Sequence, residues 1–336
     1  MHLQHLVVGA DHSEEGKAAV LAAARLGQRC GARVSVVTVT AVPATNGTAR
    51  REMDDLRSLV NAALRPLPDP PEVRLAIESG LPGVEIGRYA ETHEADLVLV
   101  GRKRRTEMQR LLIGDTADSV ARRSGVPCLF VMPGTTAFEH VLVALDGTER
   151  GMSVLVSAMD FTRDTGGRLH AVSVEPAYEN ERDAPHLLTT RSARLMEAVD
   201  ELRHQTSLGR GGWEAPTPAA SASPIVFHRG RVVEEIVREV TDARSDVLVV
   251  GYRRGGPAGV IEAGSVARRL AHEAPCSVLT IPLGEPCPCI PPFAGSPGWP
   301  AWWSPSCSCC SGSTRRLASP SSRAACAGSW PRWSPG

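Results

Sequence analysis

Apolar runs of four to six residues alternate along most of the chain with longer stretches in which apolar and charged positions fall on opposite sides of a helix. Runs such as Leu6–Gly9, Val34–Val39 and Leu97–Val100 are too short for free-standing helices. Their β-branched content reads as strands buried on both faces, as in a parallel sheet. The pattern predicts first-half strands near Leu6–Gly9, Val34–Val39, Val73–Ile77, Leu97–Val100 and Cys128–Val131, with helices near Glu14–Cys30, Arg50–Leu64, Val84–His93 and Thr116–Ser124. In the second half it predicts strands near Val141–Leu145, Leu169–Val174, Ile225–Phe227, Val247–Val250 and Ser277–Ile281. The helices between them are predicted near Arg150–Asp164, Leu187–Ser207, Val232–Ala243 and Gly264–His272. Strands alternating with helices mark βαβ units and an α/β fold.

The two halves are copies of one plan. HLVVGADHSEEGKAAVLAAARLGQRCGARVSVVTV from His5 recurs as HVLVALDGTERGMSVLVSAMDFTRDTGGRLHAVSV from His140, and ADLVLVG from Ala95 recurs as SDVLVVG from Ser245. SVARRSGVPCLFVMP recurs as SVARRLAHEAPCSVLTIP. A repeat of this length is read as two tandem domains, 1–134 and 138–284, joined by the short Pro133–Thr136 linker. Gly209–Ser223, rich in Gly, Pro, Ala and Ser, reads as a solvated insertion in the second copy.

Composition changes abruptly at Glu285. The segment 285–336 has no apolar periodicity and holds five of the six Trp and six of the nine Cys. Cys287-x-Cys289 and Cys307-x-Cys309-Cys310 lack an accompanying His and a finger-like spacing, so the segment reads as a disordered or frame-shifted tail rather than a zinc site.

Net charge is zero over 336 residues, but the tail carries four Arg and one Glu, which leaves the body slightly acidic. That balance argues against nucleic acid as a main partner. No apolar run reaches the roughly 18 residues of a membrane span, and the amino-terminal sequence lacks a charged region ahead of a cleavage site. A cytoplasmic location is therefore expected. Cys30, Cys128 and Cys276, widely spaced, read as small buried hydrophobes in a reducing compartment.

The chemistry centres on Asp246–Ser265. Five residues, Val247 to Gly251, form a strand expected to stop at Gly251. An Arg- and Gly-rich loop follows, and a helix opens at Gly264-Ser265. Strand, glycine loop and helix start together present backbone N–H groups and a positive dipole end to an anion, at the carboxyl ends of strands where α/β sheets bind ligands. Asp11 and Asp146 each end a first strand just before a helix. Either they cap that helix, or they offer a carboxylate to a ribose or base at the switch point between strands. The run Arg102-Lys103-Arg104-Arg105 reads as a solvated loop over a phosphate site, with nucleic acid as the alternative. No nucleophile elbow, P-loop lysine or His-x-x-Glu pair is found, so an enzyme is not expected beyond weak hydrolysis of a bound ligand.

The spacing Gly251-x2-Arg254-x9-Gly264-Ser265 resembles the G-x2-G-x9-G-[S/T] loop of the universal stress protein family, with Arg254 at the second Gly position. The resemblance covers residues 3 to about 283, twice over. It implies two Rossmann-like domains of the adenine nucleotide alpha hydrolase type. Each is a five-stranded parallel sheet of order 3-2-1-4-5 with helices on both faces. It also implies adenine near the first-strand Asp and the second strand, with phosphates on the glycine loop. Position by position this gives Asp146, Val174, Gly251, Gly264 and Ser265 in the second half, with Arg253 and Arg254 able to answer phosphate charge. In the first half it gives Asp11, Val39, Gly101 and Gly114, but there Arg104 takes the second Gly position and Asp115 the hydroxyl position.

A carboxylate beside a phosphate costs up to about 4 kcal/mol at 4 Å and an effective dielectric near 20. The resemblance thus implies ATP, with or without Mg²⁺, in the second domain alone, bound as a sensor of stress. The alternative is a scaffold that binds no nucleotide and acts through an unknown protein partner. The domains are expected to pair through their last strands, Pro127–Met132 and Pro275–Ile281, since an uncovered edge invites association, and halves cut apart are expected to dimerise; a homodimer of the whole chain is the further partner considered.

A tail without buried apolar pattern contributes nothing to a core. A chain stopped at Gly284 is expected to melt at the full-length temperature; a drop of several degrees, or stoichiometric zinc in the full-length protein alone, contradicts this.

Overall fold

The computed structural model describes residues 2–41, 46–102, 119–121, 124–135, 137–176, 192–193, 195–202, 212–213, 225–253 and 265–283. In the first half these form β1 (His5–Gly9), α1 (Glu14–Cys30), β2 (Arg33–Thr40), α2 (Asn46–Leu64), β3 (Val73–Ser79), α3 (Pro82–Thr92), β4 (Leu97–Gly101) and β5 (Cys128–Val131). The second half repeats them as β6 (His140–Leu145), α4 (Glu149–Thr165), β7 (Arg168–Pro176), β8 (Ile225–Gly230), α5 (Val232–Asp242), β9 (Val247–Arg253), α6 (Ser265–Glu273) and β10 (Ser277–Leu283). Residues 119–121, 192–193 and 195–202 are helical, within the spans predicted for two further helices; Ser124 is described and lies outside the helix, and the other residues of those spans lie outside those described.

All ten strands join one sheet of order β3-β2-β1-β4-β5-β10-β9-β6-β7-β8. Counted within each half, the order is 3-2-1-4-5, and every pairing inside a half is parallel. The halves meet where β5 pairs antiparallel with β10, setting Phe130 opposite Val278, Leu129 opposite Leu279 and Cys128 opposite Thr280. Neither fifth strand is left as an open edge.

Strand residues alternate between two apolar layers. Leu6, Val8, Leu97, Leu99, Leu129, Val141, Val247 and Leu279 face α1, α2, α4 and residues 195–202. Val7, Val98, Phe130, Leu142, Leu248 and Val278 face α3, α5 and α6. Each layer runs unbroken through both halves. Cys30 Sγ reaches the Asp164 carbonyl at 3.5 Å, and Leu3 N–H donates to Asp164 Oδ2 at 3.3 Å, so the carboxyl ends of α1 and α4 also meet.

At the amino ends of the strands one clamp appears twice. The Gln4 and His5 N–H groups both donate to Asp96 Oδ2 at 2.9 Å. The Glu139 and His140 N–H groups both donate to Asp246 Oδ2 at 3.0 Å. Asp246 therefore closes the sheet at the end remote from the glycine loop.

Two sequence expectations change here. β9 does not stop at Gly251: Tyr252 pairs with Pro282 and Arg253 with Leu283, so Arg253 lies on the strand and not in the loop. Arg102 does not belong to a solvated basic loop. It is buried, and its guanidinium crosses to the other half, donating to the Cys276 carbonyl at 3.3 Å and to the Ala274 carbonyl. The counterpart position in the second half holds buried Tyr252. Met132 N–H and the Thr135 hydroxyl meet Ser277 Oγ at 3.0 and 2.9 Å, and Thr280 Oγ1 donates to Cys128 O at 3.1 Å. A polar seam thus accompanies the β5–β10 ladder.

Replacing Arg102 by Met keeps most of the apolar stem but leaves buried carbonyls without their donor, at about 1–3 kcal/mol. Arg102→Met is expected to lower stability by about 2 kcal/mol in denaturant unfolding; a loss under about 0.5 kcal/mol contradicts the seam's role.

His5 is buried, with Nδ1 at 2.9 Å from His93 O and Nε2 at 2.9 Å from Ser35 Oγ, a pattern that suits neutral imidazole. Burial, the largest cause, pushes its pKa below the ordinary 6.5, so its stabilisation is present above pH 6.5 and lost as pH falls through the lowered value. The melting temperature is expected to fall below pH 6.5 more steeply than in His5→Gln; parallel curves contradict this.

Candidate functional site

In each half the chain reverses its direction of travel across the sheet between the first and fourth strands, which opens a crevice at their carboxyl ends. In the first half that crevice is a cleft of about 150 Å³. Gly9, Ala10 and Asp11 form its floor and wall from the end of β1, and Ser13, Glu15 and Gly16 approach from the first turn of α1. Thr38 and Val39 come from β2, Pro82 and Ile86 from α3, and Val100 and Gly101 from β4. Asp11, Val39 and Gly101, three of the positions singled out in the sequence, therefore line one space. Gly114 lies outside the described residues, as do Gly264, Arg254 and Asp115 and the side chains of Arg253 and Ser265.

The mouth is built by a short hydrogen-bond relay. Ser13 is the N-cap of α1: its Oγ accepts from Gly16 N–H at 3.0 Å. The Ser13 hydroxyl in turn donates to Asp11 Oδ1, which also accepts the Ser13 N–H at 3.2 Å. The second half repeats the relay with Thr148 as N-cap of α4. Gly151 N–H donates to Thr148 Oγ1 at 3.2 Å, and the Thr148 hydroxyl and N–H donate to Asp146 Oδ1 at 2.7 and 3.0 Å. Of the two readings open for Asp11 and Asp146, the direct cap falls to Ser13 and Thr148, whose hydroxyls accept from the helix amide and leave each Asp to orient the cap. Both carboxylates are exposed, and among the described residues their Oδ2 atoms have no partner.

Glycine is required where α1 and α4 lie against these carboxylates. A Cβ at Gly16 would lie 2.3 Å from Asp11 O, and one at Gly151 would lie 2.6 Å from Asp146 Oδ1. Gly101 likewise passes beneath α1, where a Cβ would lie 2.3 Å from Glu15 O.

The second crevice has the same framework with altered lining. Asp146 ends β6, and Val174 on β7 takes the place of Val39, in register with His228 on β8. Gly251 stands in β9 opposite Ile281. Ala144 replaces Gly9, so a methyl group is added at the floor. The β6–β9 ladder ends at Val143↔Val249, whereas the β1–β4 ladder continues to Gly9↔Val100. In the aligned repeat Arg150, Arg229 and Arg231 stand where the first half has Glu15, Ser79 and Leu81, of which Glu15 lines the first cleft. One acid is thereby exchanged for three cations, of which Arg231 pairs with Glu234 at 3.1 Å.

Beside the second crevice, His228 Nε2 donates to buried Glu239 Oε2 at 2.7 Å. The first half has Glu78 paired with Arg88 at 2.7 Å at the matching place. Sequence reasoning overlooked both the cap relay and the exchange of Glu15 for Arg150. The signal for each was present in the aligned repeats, as Ser13 above Thr148 and Glu15 above Arg150.

Burial pushes the thiol of Cys30 up to about 11, helped by the Asp164 carboxylate, and that of Cys276 up to about 12; Cys128 is raised by burial alone. These thiols stay protonated at neutral pH and serve as apolar filling. Among the described residues no helix is long and apolar enough to cross a membrane.

Comparison with known proteins agrees with this architecture. The family model described as "Universal stress protein family" matches residues 2–132 and again 137–282. A universal stress protein of Thermus aquaticus is 26% identical over 147 residues, 43% of this chain and 98% of that protein. One from Mycobacterium tuberculosis is 27% identical over 56% of this chain, and the match spans 62% of the mycobacterial protein. The crystal structure of a universal stress protein from Archaeoglobus fulgidus covers 83% of this chain and 98% of its own at 19% identity, with a TM-score of 0.59, a likeness of fold. A solved universal stress protein in complex with cAMP is 27% identical over 40% of this chain and all of its own, with a TM-score of 0.34. Two matched segments, each spanning one α/β half with its switch-point crevice, place this chain in the universal stress protein family.

Proposed function

We propose that this chain is a cytoplasmic stress-response protein that senses adenine nucleotide, holding one ATP, with or without Mg²⁺, in its second half. The observation that carries the assignment to that half is the charge of the rim. Arg150 stands where Glu15 lines the first crevice, and in the aligned repeat Arg229 and Arg231 take the places of Ser79 and Leu81. Both crevices share the Asp–hydroxyl–glycine relay and therefore the same shape of mouth. A polyphosphate distinguishes between them by charge.

Asp146 Oδ2, exposed and without a partner among the described residues, is the acceptor offered to a ribose hydroxyl or a base N–H. Val174 and Ala144 supply the apolar surface for a ring. Ser265 opens α6, whose first amides are offered to phosphate with Gly264 preceding it in the sequence, and Arg253 and Arg254 add charge. No catalytic base or nucleophile is assigned, which favours sensing over turnover. Arg254 at a glycine position favours the competing reading of a scaffold that acts through a protein partner.

Titration calorimetry on the full chain separates these readings. One ATP per chain is expected, with Ser265→Asp weakening it more than a hundredfold, within the estimate of up to about 4 kcal/mol for an added charge beside phosphate. Asp115→Ser is expected to create weak binding in the first half. Two equal sites, or ATP binding indifferent to Ser265→Asp, contradict the assignment to the second half. No heat with the parent protein supports the scaffold.

A further inference from the structure

We infer that Arg150 is the residue that makes the second crevice selective for a phosphorylated ligand, and that Glu15 at the same place makes the first crevice reject one. This rests on the proposed nucleotide reading and names the determinant within it.

Arg150 breaks a local rule. It lies in the first turn of α4, directly after the capped residues Thr148 and Glu149. A helix start carries partial positive charge and favours acids, and α1 obeys this with Glu14 and Glu15. A cation there is unfavourable for the helix. A departure from local preference without a compensating contact marks a residue kept for another purpose.

Among the described residues no compensating contact is found. Among the described residues the Arg150 side chain has no hydrogen bond or ion pair; only its carbonyl is engaged, accepting from Ser153 Oγ at 2.7 Å. Arg231, at the N-cap position of α5, is already answered by Glu234 at 3.1 Å.

Its position is fixed by the relay. Thr148 is bonded to Asp146 and to Gly151 in the same way that Ser13 is bonded to Asp11 and Gly16, so the first turns of α4 and α1 are presented alike. Glu15 lines the first cleft, and Arg150 occupies its place in the second. The side chain is half-buried, partly withdrawn from water, where a guanidinium pairs with phosphate oxygens more strongly than at a fully exposed site. The two halves therefore differ by opposite charges at one shared position, ahead of any contribution from the glycine loops.

The test uses the full chain and three variants, Arg150→Glu, Arg150→Lys and Glu15→Arg, with ATP and adenosine as probes in titration calorimetry. Arg150→Glu is expected to weaken ATP about 30-fold or more, as for loss of a charge-assisted hydrogen bond followed by repulsion, while adenosine stays within about twofold. Arg150→Lys is expected to retain ATP within about tenfold. The melting temperature of Arg150→Glu without ligand is expected at or above the parent's, because an acid suits the helix start. Glu15→Arg is expected to lower it and to admit ATP to the first crevice.

ATP binding by Arg150→Glu within threefold of the parent overturns the inference and leaves the nucleotide reading standing. Equal losses of ATP and adenosine, or a lowered melting temperature with lost binding, make Arg150 a structural residue and also overturn it. A parent chain that binds no ATP removes the nucleotide reading and this inference together.

Discussion

The antiparallel pairing of β5 with β10 is the constraint on which the rest of the molecule depends. Every other ladder in the sheet is parallel, so each half carries its strand ends, and hence its crevice, on one side. Joining the halves head to tail at this seam sends the carboxyl ends of the two sets in opposite directions. The crevices therefore open at opposite edges of one sheet, and each must be completed by its own half. The seam also shelters two edge strands that would otherwise expose unpaired N–H and C=O groups. Arg102, Ser277 and Thr280 fasten it with side-chain hydrogen bonds to the opposing backbone.

Within that frame the two halves are free to diverge in chemistry while their scaffolds stay alike. The scaffold parts are the amino-end clamps made by Asp96 and Asp246 and the capping relays at Asp11 and Asp146, and they are the same in both copies. What differs is what the scaffold holds out to a ligand: Gly9 or Ala144 at the floor, Glu15 or Arg150 at the rim, and a β4 that ends at Gly101 against a β9 that runs on to Arg253. Duplication followed by changes at such positions gives one framework and two electrostatic environments. The difference matters most for a charged ligand, whose interaction with a rim residue reaches several kcal/mol at low effective dielectric.

The strands and the tandem plan were legible because doubly buried strands are written as unbroken aliphatic runs, and a repeat displays its period directly. Glycines at 16 and 151 were visible as repeated letters, but their reason, backbone and carboxylate within 3 Å of a would-be Cβ, is a fact of three dimensions. The sequence left two readings of Asp11 and Asp146 side by side because Asp, Ser and Thr share capping chemistry, and only geometry shows which oxygen meets the Gly16 or Gly151 amide. Arg102 was misread because a basic run suggests solvent, while the long side chain is held by carbonyls more than 170 residues away in sequence. Strand β9 was cut short at Gly251 because a glycine followed by Tyr252-Arg253 resembles a loop until β10 is seen alongside it.

The central claim is that one crevice, and not both, answers to nucleotide. Amide hydrogen exchange read residue by residue, with and without saturating ATP, addresses it most directly. The account predicts slower exchange at Thr148, Gly151 and Met152 in the first turn of α4, with Ser13, Gly16 and Lys17 in the matching turn of α1 unchanged. Equal slowing in both turns, or slowing confined to α1, would contradict it.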